Sequence, residues 1–204
     1  MSDTTSARRA RLSPDERREQ LLDHGVRLLA SRSIDELSID LLADEAGVSR
    51  GLLYHYFGDK RAFHRAVVRR AADDLVAQTA PPPSGEPLER LLASMAAYVD
   101  YVVANYEGYV SLVKGAASGD ESLRLIYEEA RAALADRIFA EDAQGEVVAD
   151  TPPHRLVVRG WTALVEELTL SWAVDPHGIS RADLLDVIAG SLPALVELST
   201  RQLS

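Results

Sequence analysis

The sequence predicts an all-α protein, and three observations carry that expectation. Apolar residues recur at helical spacing in every long segment. No run alternates apolar and polar residues over the length of a strand. Cap residues, glycines and prolines divide the chain into about nine helical segments.

The chain has 204 residues, 47% of them hydrophobic and 26% charged, a balance that can bury a core. It contains no cysteine, which excludes disulfides and thiolate metal sites. The first ten residues lack the apolar run of a signal peptide. No segment approaches the roughly 18 consecutive apolar residues of a membrane span. A soluble, cytoplasmic chain with no membrane partner is therefore expected. The net charge of −10 is unevenly spread. Residues 1–70 hold 13 basic and 11 acidic side chains, a net of +2. Residues 71–204 hold 9 basic and 21 acidic side chains, a net of −12. Only the first part suits a polyanionic partner, which needs a local basic face and not a basic protein.

Residues 1–12 are polar and carry Arg8, Arg9 and Arg11, the composition of a flexible basic arm. Ser13 then caps a first helix, with Pro14 at its first position and Asp15 and Glu16 at the positive end of its dipole. Leu21, Leu22, Val26, Leu28 and Leu29 give it an apolar face, and Ser31–Ser33 end it. Ser38 caps a second helix, which Gly47 stops. Ser49 caps a third. Gly58 or Asp59 opens a fourth, which runs through Phe63, Val67 and Val68 to about Gln78. The run from Pro81 to Gly85 is the clearest break in the chain.

Beyond it, one helix is expected from Pro87 to Asn105, and a shorter one from Tyr106 to Lys114, stopped by Gly115. Gly119, Asp120 and Glu121 start a helix that reaches Phe139, and Asp142 to Asp150 reads as a polar loop. Thr151, Pro152 and Pro153 start a helix that ends at Asp175 and Pro176. Ser180 caps the last helix, through Leu198, with a kink expected at Pro193.

The informative stretch is residues 38–60. Ile39, Leu42, Ala43 and Ala46 face inward on its first helix, and the small alanines admit a crossing helix. Gly47 supplies the left-handed turn, and Val48 fills the elbow. This is a helix-turn-helix arrangement. On its second helix Leu53 and Phe57 face inward, which leaves Arg50, Gly51, Tyr54 and His55 outward. An ordinary surface helix would carry Glu and Lys there. Tyrosine hydroxyls donate to phosphates, arginine donates bidentately to guanine, and glycine admits the backbone to the bases.

Residues 14–70 resemble the DNA-binding domain of the tetracycline-repressor (TetR) family of regulators. The resemblance lies in Ser38, Ile39, Ala43, Ala46, Gly47, Val48, Ser49, Gly51, Leu53, Tyr54, His55, Tyr56, Phe57, Lys60 and Phe63. It implies an N-terminal three-helix DNA-binding domain over residues 13–80 and a helical ligand-binding and dimerisation domain over 81–204. It implies phosphate contacts from Ser38, Ser49, Tyr54, Tyr56 and Lys60, and base contacts from Arg50, Gly51, Leu52 and His55. His55 suits a phosphate equally well. Leu52 stands where the family often has a small polar residue, and either touches a thymine methyl or packs. Ser33, Ile34 and Asp35 stand where the family often has a glycine. The arginines of the arm suit a minor groove or a solvated tail.

In the C-terminal half, Val157, Trp161, Leu164, Val165, Leu168 and Trp172 share one face of a helix, with Arg155, Arg159, Thr162, Glu166 and Thr169 forming a polar stripe roughly opposite. By family resemblance, Trp161, Leu164, Val165, Leu168, Trp172, Leu184, Leu185, Ile188, Leu192 and Leu195 are candidates for a dimer interface; an intramolecular core fits the same pattern. Tyr98, Tyr101, Tyr106 and Tyr109, with Met95, Val102, Leu112, Tyr127 and Trp161, are candidates for a ligand pocket, and the same spacing also describes packed core. A buried Glu166 or Glu167 would favour a cationic ligand there; a solvated or interface acid fits the same positions. No metal-ligand spacing, nucleophile elbow or phosphate loop is present, so no enzyme, metal or cofactor is expected. The expectation is a homodimeric repressor that binds a palindromic double-stranded DNA operator and is released by a small, largely apolar effector. The alternative is a small-molecule-binding or protein-interaction helical module with a non-functional helix-turn-helix.

Overall fold

Nine α-helices and no strand make up the described part of the chain, residues 13–202 of a computed structural model. The basic arm of residues 1–12 lies outside the described residues. The helices are α1 (Pro14–Leu29), α2 (Ile39–Ala46), α3 (Arg50–Phe57), α4 (Lys60–Gln78), α5 (Pro87–Ala104), α6 (Tyr106–Ala117), α7 (Glu121–Glu141), α8 (Pro152–Val174) and α9 (Arg181–Gln202). Local rules account for most of the starts. Ser13 and Glu16 form a reciprocal capping box, and Ser38, Ser49, Asp59, Asp120 and Thr151 each accept a backbone N–H one turn on. Ser180 and Asp183 do the same for α9, through Ser180 N–H to Asp183 Oδ2 at 3.0 Å and Asp183 N–H to Ser180 Oγ at 3.2 Å.

Two buried clusters hold the molecule. The first joins Leu21, Leu22, Leu28 and Leu29 of α1, Leu42 of α2, Leu53 and Phe57 of α3 and Phe63, Val67 and Val68 of α4. It also takes in Leu112 of α6 and Leu123 and Ile126 of α7. The second joins α5, α6, α7, α8 and α9, and it takes in Leu75 of α4. The clusters therefore do not divide at the Pro81 to Gly85 segment that links α4 to α5. The C-terminal end of α4 is gripped by the later helices: Arg137 donates to the Val76 carbonyl at 2.5 Å and Ser94 to the Thr79 carbonyl at 2.5 Å.

Several sequence expectations need correction. Gly115 does not stop α6, which runs on to Ala117. It faces α7 instead, where a Cβ would lie 2.4 Å from Leu123 Cδ1, so the glycine is there for close packing. The polar loop after α7 folds around a buried carboxylate, with Asp142 accepting from the N–H groups of Glu146, Val147 and Val148 at 2.7–2.8 Å. The last helix, α9, runs past Leu198 to Gln202 with Pro193 inside it.

The largest correction concerns α8. Its buried line is Val158, Trp161, Val165 and Thr169, while Leu164 is exposed. Thr169 buries at no cost in unmade hydrogen bonds because its hydroxyl donates to the Val165 carbonyl at 2.7 Å. Glu166 likewise turns inward rather than lying on an outer stripe, because tyrosine hydroxyls meet it there. A polar residue with a partner does not obey the apolar-in pattern. Of the residues expected at a dimer interface, Trp161, Val165, Leu184, Ile188 and Leu192 are buried inside this chain. They pin α8 to α9 and α5, and the Trp161 indole donates to Ser191 Oγ at 2.8 Å. Leu168, Leu185 and Trp172 are half-buried against the same cluster, and the Trp172 indole donates to the Ile179 carbonyl at 2.9 Å. Leu164 and Leu195 reach the surface, alongside Leu156, Val187 and Leu198.

Two features give measurable consequences. At Gly108 the backbone of α6 meets that of α1: a Cβ there would lie 2.7 Å from the Leu29 carbonyl oxygen. A backbone atom cannot rotate away. Gly108→Ala is expected to destabilise the fold by about 1–3 kcal/mol, the usual penalty for overpacking, read by urea denaturation. At the first turn of α4, half-buried His64 donates from Nε2 to the Leu37 carbonyl at 2.6 Å. Burial, with the Lys60 charge adding to it, holds its pKa below the ordinary 6.5. The folded state therefore resists a proton that the unfolded chain accepts. That costs nothing above the unfolded pKa and destabilises the fold as pH falls below it. His64→Gln keeps a donor without the titration, so its Tm is expected to fall less than that of the wild type between about pH 7 and pH 5.

Candidate functional site

The α2–turn–α3 corner is built by three local choices. Gly47 takes φ 63°, ψ 38°, the left-handed conformation, and ends α2. Val48 donates its N–H back to the Ala43 carbonyl at 3.0 Å, and its side chain packs on the first cluster. Ser49 then caps α3 by accepting from Leu52 N–H at 3.3 Å. The inward face of α3 is fixed by Leu53, fully buried, and by Phe57, whose ring meets Phe63 edge-on at 5.2 Å.

With that face fixed, the opposite one is set. Arg50, Gly51, Tyr54 and His55 are all exposed, Tyr54 by half of its surface. Nothing but Ser49 Oγ, at 3.9 Å, lies near where a Cβ of Gly51 would stand. The fold itself therefore does not require glycine at 51. Tyr56 is half-buried against the first cluster and meets the His55 ring edge-on at 5.5 Å. Leu52 is half-buried. Ser38 and Ser49 each use their oxygen as a cap acceptor, which leaves each hydroxyl hydrogen available to an anion.

The electrostatics of this corner run against ordinary helix practice. A helix N-terminus is positive and favours acids in its first turn. The first turns of α1, α2, α5, α6, α7 and α9 contain one; those of α3, α4 and α8 do not. At this corner α3 begins with Arg50, and α4 with Lys60 and Arg61. Among the described residues neither Lys60 nor Arg61 has a carboxylate at ion-pair distance, and Arg50 pairs with Asp40 on α2 at the surface. Positive side chains stacked on positive helix ends make an anion-seeking face.

Residues 21–67 match the family described as "Bacterial regulatory proteins, tetR family", and residues 87–191 match "Tetracyclin repressor-like, C-terminal domain". The chain belongs to the TetR family. It is a transcriptional regulator with a DNA-binding helix-turn-helix and a helical C-terminal domain. It is 35% identical over 101 residues to the transcriptional activator FasR of Mycolicibacterium smegmatis, a match spanning 48% of this chain and 46% of that protein. It is 28% identical over 190 residues to the transcriptional regulator BetI of Brucella suis, covering 89% of this chain and 88% of that one. Its structure is similar to the crystal structure of a TetR-family regulator from Streptomyces coelicolor, with TM-score 0.81, 34% identity and coverage of 93% and 84%. Among the described residues no helix is long and apolar enough to cross a membrane.

The C-terminal domain of this TetR-family member has a second constellation. Tyr98 of α5 and Tyr109 of α6 share a hydroxyl–hydroxyl hydrogen bond of 2.8 Å. Tyr109 donates to Glu166 Oε2 of α8 at 2.7 Å, and Tyr127 of α7 donates to Oε1 at 2.7 Å. Arg131 donates to the Tyr127 hydroxyl at 3.0 Å and lies over its ring, 5.3 Å from the centroid. Burial pushes the Tyr98 and Tyr109 hydroxyls well above the ordinary phenol value, and with the Glu166 bond it raises Tyr127 to about 12. All three phenols are therefore proton donors at neutral pH.

A cavity of about 30 Å³ adjoins this network, lined by Met95, Tyr98, Tyr109, Arg131, Leu134, Ile138, Thr162, Val165 and Glu166. Of the residues expected in a pocket, the structure brings Met95, Tyr98 and Tyr109 to it, and Tyr127 joins through Glu166. Tyr101 and Leu112 instead line a separate cavity beside α1 and α4, where Tyr101 donates to the Ala71 carbonyl at 2.8 Å. Val102 and Trp161 are packed core, and Tyr106 is half-buried at the start of α6. The sequence offers Glu166 both as part of a polar stripe and, with Glu167, as a buried acid; the structure turns Glu166 inward, and Arg131, Leu134 and Ile138 were not among the expected pocket residues. The available signal is the adjacent pair of acids, Glu166 and Glu167, in the middle of a largely apolar helix.

Proposed function

We propose that this chain is a homodimeric, effector-controlled repressor whose two α3 helices read a palindromic operator in successive major grooves. The outward face of α3 carries the reading: Arg50, Gly51, Tyr54 and His55 are exposed on a helix locked by Leu53 and Phe57, between two cation-bearing helix N-termini. In this reading Ser38, Ser49, Tyr54, Tyr56 and Lys60 hold phosphates, and Arg50, Gly51, Leu52 and His55 meet base edges. Arg50 exchanges Asp40 for a guanine. That exchange is cheap, because an exposed ion pair is worth about 0–1 kcal/mol and a bidentate arginine–guanine contact returns about 1–3 kcal/mol.

Dimerisation in this reading uses the outward faces of α8 and α9. Leu156 and Leu164 on α8 and Val187, Leu195 and Leu198 on α9 are exposed, and open space surrounds Gly160 and Gly190. Two copies joined there would present their α3 helices about 34–36 Å apart, one turn of DNA. The effector is small and largely apolar, and the cavity at Glu166 is where it enters. Ligand pockets are typically about 300 Å³ or more, so the walls must part to admit it. An effector that binds only the parted state shifts the population away from the DNA-binding spacing.

A binding titration against DNA flanking the protein's own gene tests this. Arg50→Ala should lose about 1–3 kcal/mol on the operator and little on scrambled DNA, whereas Lys60→Ala should weaken both alike and lower the salt slope by about one. Full operator affinity in a Tyr54→Ala, Lys60→Ala double variant would sink the reading. Leu164→Glu is expected to give a folded monomer by sedimentation, with operator affinity reduced. A reporter gene beside the operator reads the sign of control, repression being the expected result.

A further inference from the structure

Glu166 is an acid turned into the protein without a cation to meet it. Its two oxygens accept from Tyr109 and Tyr127, each at 2.7 Å. Among the described residues no Arg or Lys lies within ion-pair distance of it. Arg131, the nearest candidate, is engaged with the Tyr127 hydroxyl and ring. Phenols satisfy the hydrogen-bonding needs of a carboxylate but form no ion pair with it, in a cavity lined also by Met95, Leu134, Ile138 and Val165 and, on its polar side, by Thr162 and Arg131. The rings of Tyr98 and Tyr109 stand edge to face, 6.3 Å between centroids, beside it. Aromatic faces next to a carboxylate attract a weakly hydrated cation.

The shape of the site is the second observation. A further cavity of about 30 Å³ lies beneath Pro81 and Pro87, and it shares Met95, Leu134 and Ile138 with the one at Glu166. Three side chains thus face both spaces. Methionine is unbranched and changes rotamer readily, so a swing of Met95 joins the two into one channel between α5 and α7.

We propose that the effector is an amphiphilic organic cation, with an ammonium head at Glu166 among the tyrosines and an apolar tail in the channel past Met95. This rests on the reading of the chain as an effector-controlled regulator and names the chemical class of effector. A quaternary or protonated amine supplies the missing charge. A carboxylate head on the same tail meets repulsion from Glu166, and only Arg131 offers it a partner.

The test uses the full-length protein and four probes, read by calorimetric titration and by thermal shift: octyltrimethylammonium, octanol, octanoate and tetramethylammonium. Octyltrimethylammonium should bind at least about tenfold more tightly than each of the others and raise Tm accordingly. Glu166→Gln should erase its advantage over octanol and leave octanol itself unchanged. Leu134→Trp, which fills the channel, should weaken both octyl probes. Arg131→Gln should tighten octyltrimethylammonium, and it keeps the question decidable should Glu166→Gln fail to fold. Octanoate binding as tightly as the cation would overturn the proposal, as would a folded Glu166→Gln that keeps the preference. Operator binding of the ligand-free protein is measured in parallel. Its absence would defeat the proposed function while the probe affinities still decide the ligand class.

Discussion

The contact of α6 with α1 at Gly108 constrains the whole arrangement. Two helix backbones meet there with no room for a methyl group. One residue on, Tyr109 enters the hydrogen-bonded network of the C-terminal domain. Three residues on, Ser111 accepts the Ile34 N–H at 3.2 Å, in the loop that leads into α2. Leu112 then enters the cluster that holds α1 to α4. Successive residues of one short helix thus belong alternately to the two halves of the molecule. Close-packed interiors do not deform gradually, so α6 cannot move relative to the cavity at Glu166 without disturbing the seat of the helix-turn-helix. α4 adds a second tie, with Phe63, Val67 and Val68 in one cluster and Leu75 in the other.

The DNA-facing corner and the effector region differ in how they are stabilised. At the corner, local rules suffice: two serine caps, one left-handed glycine and an apolar pair four residues apart. Its outward side chains are left with little to do in the free protein, and the weak Arg50–Asp40 pair at the surface is easily exchanged. The effector region is held by contacts between elements far apart in sequence. Glu166 meets partners 57 and 39 residues away, and Tyr101 meets a carbonyl 30 residues away.

That difference explains what could be read from the sequence. The helix starts, the Gly47 turn and the outward set on α3 follow from residues within a few positions of one another. The phase of α8 does not. Thr169 and Glu166 look like solvent-facing residues until the Val165 carbonyl and the tyrosines of α6 and α7 are placed against them. Gly115 looked like a stop because glycine usually is one; its actual reason, the approach of Leu123, lies in the next helix. Asp142 looked like part of a polar loop, and it is the buried anchor around which that loop folds. In each case a polar or small residue was read by its type alone, and its partner decided its place.

The chain has two tryptophans, and both lie on α8. Trp161 is sealed in the core with its indole on Ser191, one turn before the helix reaches Val165 and Glu166. Trp172 sits near the other end, half-exposed, with its indole on the Ile179 carbonyl. Emission from this protein is therefore a report on a single helix. The light from its buried end comes from beside the cavity at Glu166, and the light from its open end is accessible to an aqueous quencher. The molecule carries its own optical gauge of the wall that an effector would have to displace, with no label attached.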